Sequence, residues 1–331
     1  MKPSIKIDNT NTIKKALNFI SVSDEELTKQ AEKELIEMTP DKMINFGLPF
    51  LDEKLCGIFP AELIVVGGAT GTGKTSLARD IAFNVGLQGK KTLYYMLEDH
   101  FVNSKKVQQY FSINRLRYEE DKKKFPLKPY LTGDINKDLL REYFKKLKNH
   151  KTVHKGLTWR RGRIEVNPQA ILDDIKEATK TQDLIIIDHL HYLSYENSSN
   201  RQVEIESFMR KLSTIVKETS ARIILLAHYK KLDGKKPTDE SFKDAQAIPQ
   251  NATTTIHLYR NRDAMDVEPD ETEDGTIIRA ENQTEFFIQK TRIPFASGNI
   301  KVEYDAERGQ YEGATDWYQG GIPGEEQGFK I

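Results

Sequence analysis

The chain has 331 residues, 37% of them hydrophobic and 30% charged. Lys plus Arg and Asp plus Glu each number 50, so the formal net charge is zero and global basicity does not announce a nucleic-acid binder. No apolar run approaches the ~18 residues of a membrane-spanning helix, the N-terminal stretch lacks a signal-peptide core, and a lone cysteine, Cys56, excludes a disulfide framework or a cysteine-built zinc site. A cytoplasmic protein with no membrane partner is expected, and neither internal repeats nor long low-complexity runs occur.

Residues 1–40 are polar with scattered apolar positions. Ser23 followed by Glu26 reads as a capping box, and Leu27, Ala31, Leu35 and Met38 recur at helical spacing. Such a helix is too short to bury a core. It either packs on its own domain or docks as an arm on a neighbouring subunit. Residues 41–312 read as one domain. Asn45–Pro60 is a loop with a short amphipathic helix, Glu62–Gly67 a buried strand, Gly68–Thr75 a loop and Ser76–Val85 a helix. Thr92–Leu97 is the next strand. Residues 101–160 are lysine-rich and poorly patterned, apart from a helix over Lys137–Lys148.

Further on come a helix at Pro168–Thr179, a strand at Asp183–Ile187, a long amphipathic helix at Gln202–Thr219 and a strand at Arg222–Ala227. Strands alternating with helices imply an α/β fold with a mostly parallel sheet covered on both faces. Short strands at Thr254–Leu258, Thr276–Ala280, Glu285–Ile288 and Lys301–Tyr304 are expected as antiparallel additions at one edge. The glycine-rich tail, 313–331, is expected to be loose, with partner binding as a lesser prospect.

Gly68, Ala69, Thr70, Gly71, Thr72, Gly73, Lys74 and Thr75 fit G-x-x-x-x-G-K-[ST], and Ser76 opens the helix behind them. Glycines let the backbone curl so that its N–H groups face phosphate oxygens, and the helix N-terminus adds a positive dipole. Lys74 would reach the β- and γ-phosphates of ATP or another nucleoside triphosphate, and Thr75 would hold Mg²⁺. Leu184–Asp188 is an apolar strand ending in a carboxylate, so Asp188 joins Thr75 as the metal anchor. Glu98 ends the strand after the phosphate-loop helix, where a carboxylate can polarise the attacking water; Asp99 competes for that role.

The order of phosphate loop, strand-end Glu and strand-end Asp resembles the RecA-like P-loop ATPases. Further segments resemble the DnaB-type hexameric replicative helicases and their phage relatives across residues 45–305. Asp188–Leu193 is similar to that family's D-Y-L-Q-L. Arg201 to Glu218 is similar to its R-x-x-E-I…R-x-L…K-E helix, residues 235–250 to its central DNA loop, and Lys290-Thr-Arg292 to its K-x-R motif. The resemblance implies a homo-oligomer, a hexameric ring that translocates on single-stranded DNA and unwinds duplex during replication, with a primase or polymerase as partner.

It also implies that His228 senses the γ-phosphate, that Lys290 and the arginine finger Arg292 act on the adjacent subunit's ATP, and that Lys230, Lys231, Lys235, Lys236 and Lys243 track DNA phosphates in the ring's channel. Arg210 and Glu204 are expected in intersubunit or loop contacts. Arg160, Arg161 and Arg163 are read as a solvated turn. His191 and His228 stand where the family usually has Gln, Gln246 replaces a loop glycine, and Pro249 replaces Glu. No primase or zinc domain is expected ahead of the ATPase segment. The rivals are a RecA/RadA-type recombinase or regulatory ATPase, from which the lack of an F-x-x-A segment detracts, and an ATP-binding assembly or loading factor without unwinding activity.

Overall fold

The computed structural model describes residues 23–36, 43–98, 101–149, 157–161, 167–193, 201–230, 232, 235–242, 246–260, 270–271, 277–278, 283–292 and 296–312. The chain divides into two compact units, Met1–Met43 and Ile44–Ile331. In the first, helix α1 (Asp24–Ile36) opens on the expected capping box. The Glu26 N–H donates to Ser23 Oγ (3.2 Å), and the Ser23 N–H donates back to Glu26 Oε2 (3.1 Å). Leu27 and Ile36 of this helix are exposed, and Met38 lies outside the described residues.

The second unit is built on a nine-stranded sheet. In chain order its strands are β1 (Glu62–Gly68), β2 (Thr92–Met96), β3 (Leu157–Arg161), β4 (Leu184–Asp188), β5 (Arg222–His228), β6 (Thr254–Tyr259), β9 (Gln283–Lys290), β10 (Gly298–Asp305) and β11 (Gln310–Glu312). In space they run β11-β10-β9-β6-β1-β5-β4-β2-β3. The strands from β3 to β6 pair in parallel, and β9, β10 and β11 add antiparallel ladders. A separate ribbon pairs β7 (Asp270–Glu271) with β8 (Ile277–Ile278).

β1, β2 and β4 are buried along their whole length, as parallel strands covered on both faces must be. Alternation along β1 divides two cores. Leu63 and Val65 face helices α7 (Pro168–Ala178) and α8 (Arg201–Thr219) through Leu172, Phe208 and Leu212. Ile64 and Val66 face α2 (Pro49–Leu55) and α3 (Lys74–Leu87) through Leu51, Leu77 and Ile81.

Four sequence expectations are corrected. The strand expected at the sheet edge over Thr276–Ala280 appears as β8, paired with β7 in the separate ribbon rather than in the main sheet. β6 is parallel to β1, in register Ile64 with Thr254 through Gly68 with Leu258, so the antiparallel edge begins only at β9. Residues 101–149 form helices α4 (Phe101–Asp121), α5 (Leu127–Thr132) and α6 (Lys137–Asn149) around Tyr110, Phe111, Phe125 and Tyr143. The inward face of α4 also buries Gln108, Ser112, Asn114 and Arg115, which hides its apolar period. β3 was read within a patternless stretch, yet it extends the parallel sheet beside β2. Arg160 and Arg161 thus lie on a strand rather than in a solvated turn, Arg160 pairs with Asp174 (3.1 Å), and Arg163 lies outside the described residues.

Asp80 on α3 is fully buried and holds Arg115 of α4 at 2.5 Å. Arg115 also donates to the carbonyls of Arg308 and Gly309 before β11, and the Tyr311 N–H donates to the second oxygen of Asp80 (3.0 Å). One ion pair thus ties the phosphate-loop helix to the inserted helices and to the sheet edge. Burial alone would raise the Asp80 pKa, and Arg115 is the largest opposing influence. Arg115→Ala leaves that carboxylate unpaired and is expected to lower stability by about 3–5 kcal/mol, read by chemical denaturation. Asp80→Asn combined with Arg115→Met should recover much of the loss.

Candidate nucleotide site

Gly68, Asp188 and His228 close strands β1, β4 and β5, and Glu98 follows β2. In register, Gly68 pairs with His228 and Met96 with Asp188, so all four functional ends gather at the carboxyl edge of the parallel sheet. That edge is where open α/β sheets bind ligands. The phosphate loop needs its glycines here. Gly73 has φ +98°, and a Cβ on it would lie 2.3 Å from the Tyr311 hydroxyl, which donates to the Gly73 carbonyl (3.2 Å). Thr72 turns its hydroxyl back onto the Ala69 carbonyl (2.8 Å).

Lys74 is buried and donates to the carbonyls of Gly68 (2.8 Å) and Ala69 (2.9 Å). Burial pushes its ammonium pKa down to about 8, against the pull of Asp188 and Glu98. Asp188 is also buried, and burial raises its pKa while the Tyr94 and Thr75 hydroxyls and the Arg79 charge act the other way. Tyr94 donates to Asp188 Oδ2 (2.8 Å), and Oδ1 has no hydrogen-bond partner among the described residues. A buried carboxylate oxygen left open beside the Thr75 hydroxyl is an all-oxygen donor set suited to Mg²⁺. Thr75 and Asp188 would hold such an ion, which would offset phosphate charge.

Glu98 is partly exposed and faces buried His189 (Oε2 to Nε2, 3.2 Å). That hydrogen bond keeps its pKa below the usual carboxylate range, despite partial burial, so it stands ionised. His228 lies between His189 (Nε2 to Nε2, 2.7 Å) and Lys74 (Nδ1 to Nζ, 3.3 Å). Burial first, and Lys74 second, push its pKa down to about 4, so it is neutral at ordinary pH. His191 accepts the His228 backbone N–H at Nδ1 (3.4 Å), one step removed from the phosphate loop.

A cleft of about 250 Å³ joins Thr70–Ser76, Glu98 and His228 to Arg260, Thr284, Tyr304 and Tyr311. Sequence reasoning missed His189 and the last four. His189 was in view inside the Asp188–Leu193 segment, and the others reach the cleft only through the pairing of β6, β9, β10 and β11.

Lys290 and Arg292 stand elsewhere. Lys290 pairs across from Thr255, and its ammonium donates to the carbonyls of Pro249 (2.6 Å) and Gln250 (3.1 Å) at helix α9 (Ala247–Asn251). Arg292, exposed, acts electrostatically on Glu62, the first residue of β1. The seven residues from Glu62 to Gly68 cover six rises, about 20 Å of strand, so Arg292 lies toward the end of β1 away from its own phosphate loop, while Lys290, level with Val65 through Thr255, turns its ammonium onto α9.

Lys230 and Lys235 are exposed. Lys236 is engaged by Glu285 (2.9 Å), and Lys231, Lys243 and Asp99 lie outside the described residues. On α8, Arg210 pairs with Glu206 (3.5 Å) and lines one cleft, whereas Glu204 lines another with Pro168 and Phe208.

Residues 44–313 match the family model of the DnaB-like helicase C-terminal domain. The chain belongs to this family. The replicative DNA helicase DnaB of Buchnera aphidicola subsp. Schizaphis graminum is 25% identical over 226 residues, which cover 66% of this chain and 46% of that helicase. The chain thus spans about half the length of the curated relatives it matches. Among solved structures, the ATPase domain of G40P superposes with a TM-score of 0.69 at 16% identity, covering 88% of this chain and 99% of that one. A DnaB-like replicative helicase, described with its interactions with primase, superposes with a TM-score of 0.64 at 17% identity, covering 89% and 67%. The fold is RecA-like, as the motif order implied. Among the described residues no helix is long and apolar enough to cross a membrane.

Gly73→Ala forces both a left-handed backbone on a residue with a Cβ and a clash with Tyr311. Nucleotide affinity, followed with a fluorescent ATP analogue, is expected to fall by at least about tenfold, the equivalent of the ~1–3 kcal/mol that such backbone strain costs. Pairing it with Tyr311→Phe should not restore binding, because the φ penalty stays.

Proposed function

We propose that this protein is an ATP-driven, ring-forming DNA helicase motor. The observation that carries the reading is the separation of Arg292 and Lys290 from their own phosphate loop. A basic pair of the K-x-R type, with Lys290 turned onto α9 and Arg292 acting on Glu62 at the start of β1, is directed away from its own phosphate loop and suits a nucleotide on an adjacent copy. Family membership supports the same arrangement.

In this reading ATP lies between protomers. The phosphate-loop N–H groups and Lys74 cradle its phosphates, and Thr75 and Asp188 would hold a Mg²⁺ ion, which would supply further positive charge there. The ionised Glu98 orients and polarises the attacking water, and His228 contacts the γ-phosphate. Arg292 of the neighbouring copy stabilises the charge of the transition state, a contribution of ~10³–10⁵ in rate for an arginine finger. Exposed Lys230 and Lys235, with the other lysines of the same loop, would follow the phosphates of single-stranded DNA without reading bases. Lys236 contributes less while it is held by Glu285. A primase suits the role of partner, given the primase interactions of the similar helicase.

The deciding experiment measures DNA-stimulated ATP hydrolysis beside strand displacement on forked DNA. Both are expected, and Lys74→Ala should abolish both. Hydrolysis without displacement would favour an assembly or loading ATPase instead. Arg292→Ala should leave ATP binding near wild type and slow hydrolysis, and mixing it with Glu98→Gln protomers should restore turnover at the hybrid interfaces. Verified mixed rings with no recovery would refute action in trans.

Replacing Lys235, Lys236 and Lys243 with Ala together should weaken single-stranded DNA binding. It should also flatten the slope of log affinity against log salt by roughly 0.7 per lost phosphate contact. An unchanged slope would place the DNA elsewhere.

A further inference from the structure

The side chain that joins Glu98 to His228 has no role in the reading above. His189 is buried at the mouth of the 3₁₀ turn Leu190–Tyr192. Its Nδ1 accepts the His191 backbone N–H (3.2 Å). A nitrogen that accepts carries no proton, so the ring proton of His189 sits on Nε2. That Nε2–H faces two acceptors, Glu98 Oε2 at 3.2 Å and His228 Nε2 at 2.7 Å. His228 must therefore present a bare Nε2 to its partner, and its own proton belongs on Nδ1. That Nδ1 lies 3.3 Å from Lys74 Nζ, beside the phosphate loop. With the proton on that Nδ1, an ammonium and an imidazole N–H face each other as two donors with no acceptor between them, an arrangement that an anionic oxygen would satisfy.

The same trio, Glu98, His189 and His228, places its ligand atoms within 4.8 Å of one another, close enough for a divalent transition metal. The proton inventory argues against that use. A metal on Nε2 moves the ring proton of a neutral histidine to Nδ1, where ligand histidines normally donate to an acceptor. At His189 that position already accepts a backbone N–H, so a metal on its Nε2 would set two N–H groups against each other.

We propose that His189 is a positioning residue of the hydrolytic centre: its Nε2–H fixes the direction of the Glu98 carboxylate and dictates the tautomer that makes His228 a donor toward the terminal phosphate. One buried ring thereby couples the group that orients water to the group that senses phosphate. A phenyl ring at 189 fills the space without the N–H, and a glutamine amide keeps a donor.

This inference rests on the reading of Glu98 and His228 given above, and its test separates the two. Nitrogen-15 NMR of the full chain, with labelled histidines and no nucleotide, reads the tautomer directly, the His228 signals being assigned by their loss in His228→Gln. The proton is expected on Nδ1 of His228 in the wild type, and on Nε2 or shared between both nitrogens in His189→Phe. In steady-state hydrolysis, His189→Phe should lower kcat by roughly 10–100-fold, the usual effect of removing an orienting partner. KM for ATP and affinity for a fluorescent ATP analogue should stay close to wild type, and His189→Gln should recover part of the rate.

A wild-type His228 protonated on Nε2, or a His189→Phe protein with unaltered kcat, would overturn the proposal. Full turnover by Glu98→Gln would remove the role given to Glu98, while the tautomer measurement would still decide the role of His189 toward His228.

Discussion

The structure depends on a lysine ammonium held out of water at the end of a buried strand. Lys74 has two backbone carbonyls as partners and two carboxylates within electrostatic reach, and these do not fully offset its loss of hydration. A cation so placed gains most from an anion that brings its own charge into the loop. Strand order sets everything around it. β5 between β1 and β4 sets His228 beside Gly68, and β2 beyond β4 sets the Glu98 strand alongside Asp188. The like charges of Asp188 and Glu98 are held apart by different surroundings. One is buried with an oxygen free for a cation, and the other is half-solvated and hydrogen-bonded to a histidine. That difference suits them to the separate roles proposed above, metal anchor and water-orienting base.

The parts of this design that lay in contiguous sequence were legible in it. Glu62–Gly68 and Leu184–Asp188 are apolar runs with one possible fate in a parallel sheet, and the phosphate-loop pattern names its own atoms. The capping box of α1 was equally local. What escaped was tertiary. Thr254–Tyr259 looks like any short strand, and only its register with β1 makes it parallel. Helix α4 turns a polar face inward because Arg115 and Asn114 find buried partners in Asp80 and in the carbonyls of Phe125 and Glu307, of which only Phe125 is near it in sequence. Tyr304 and Tyr311 enter the cleft by an antiparallel hairpin whose strands carry no nucleotide motif. His189 was hidden differently. It lay inside a segment read for its likeness to a family pattern that usually has tyrosine there, so its own chemistry was passed over.

Adjacent residues at the end of β5 serve opposite sides of the sheet. His228 faces the phosphate loop. Tyr229 packs on Phe242 against Gly67, where a Cβ would fall within 2.4 Å of the tyrosine ring. The Tyr229 hydroxyl bonds to Nδ1 of His257 (2.7 Å), and the opposite nitrogen of that fully buried ring bonds to Asp239 (2.9 Å). Asp239 opens the short turn Asp239–Ser241 that follows Lys235 and Lys236, and its backbone N–H donates to Gln289 of β9 (2.8 Å). β9 in turn ends at Lys290.

Backbone and hydrogen bonds therefore link the phosphate cleft to the lysine segment and to β9. Close packing supports the link: a Cβ on Gly67 would strike both Tyr229 and Phe242, so those rings sit directly on the strand that leads to the phosphate loop. The chain of contacts runs both ways. In the motor reading proposed above, a load on the lysine segment would bear on the nucleotide cleft through these same contacts, and coupling of that kind is reciprocal.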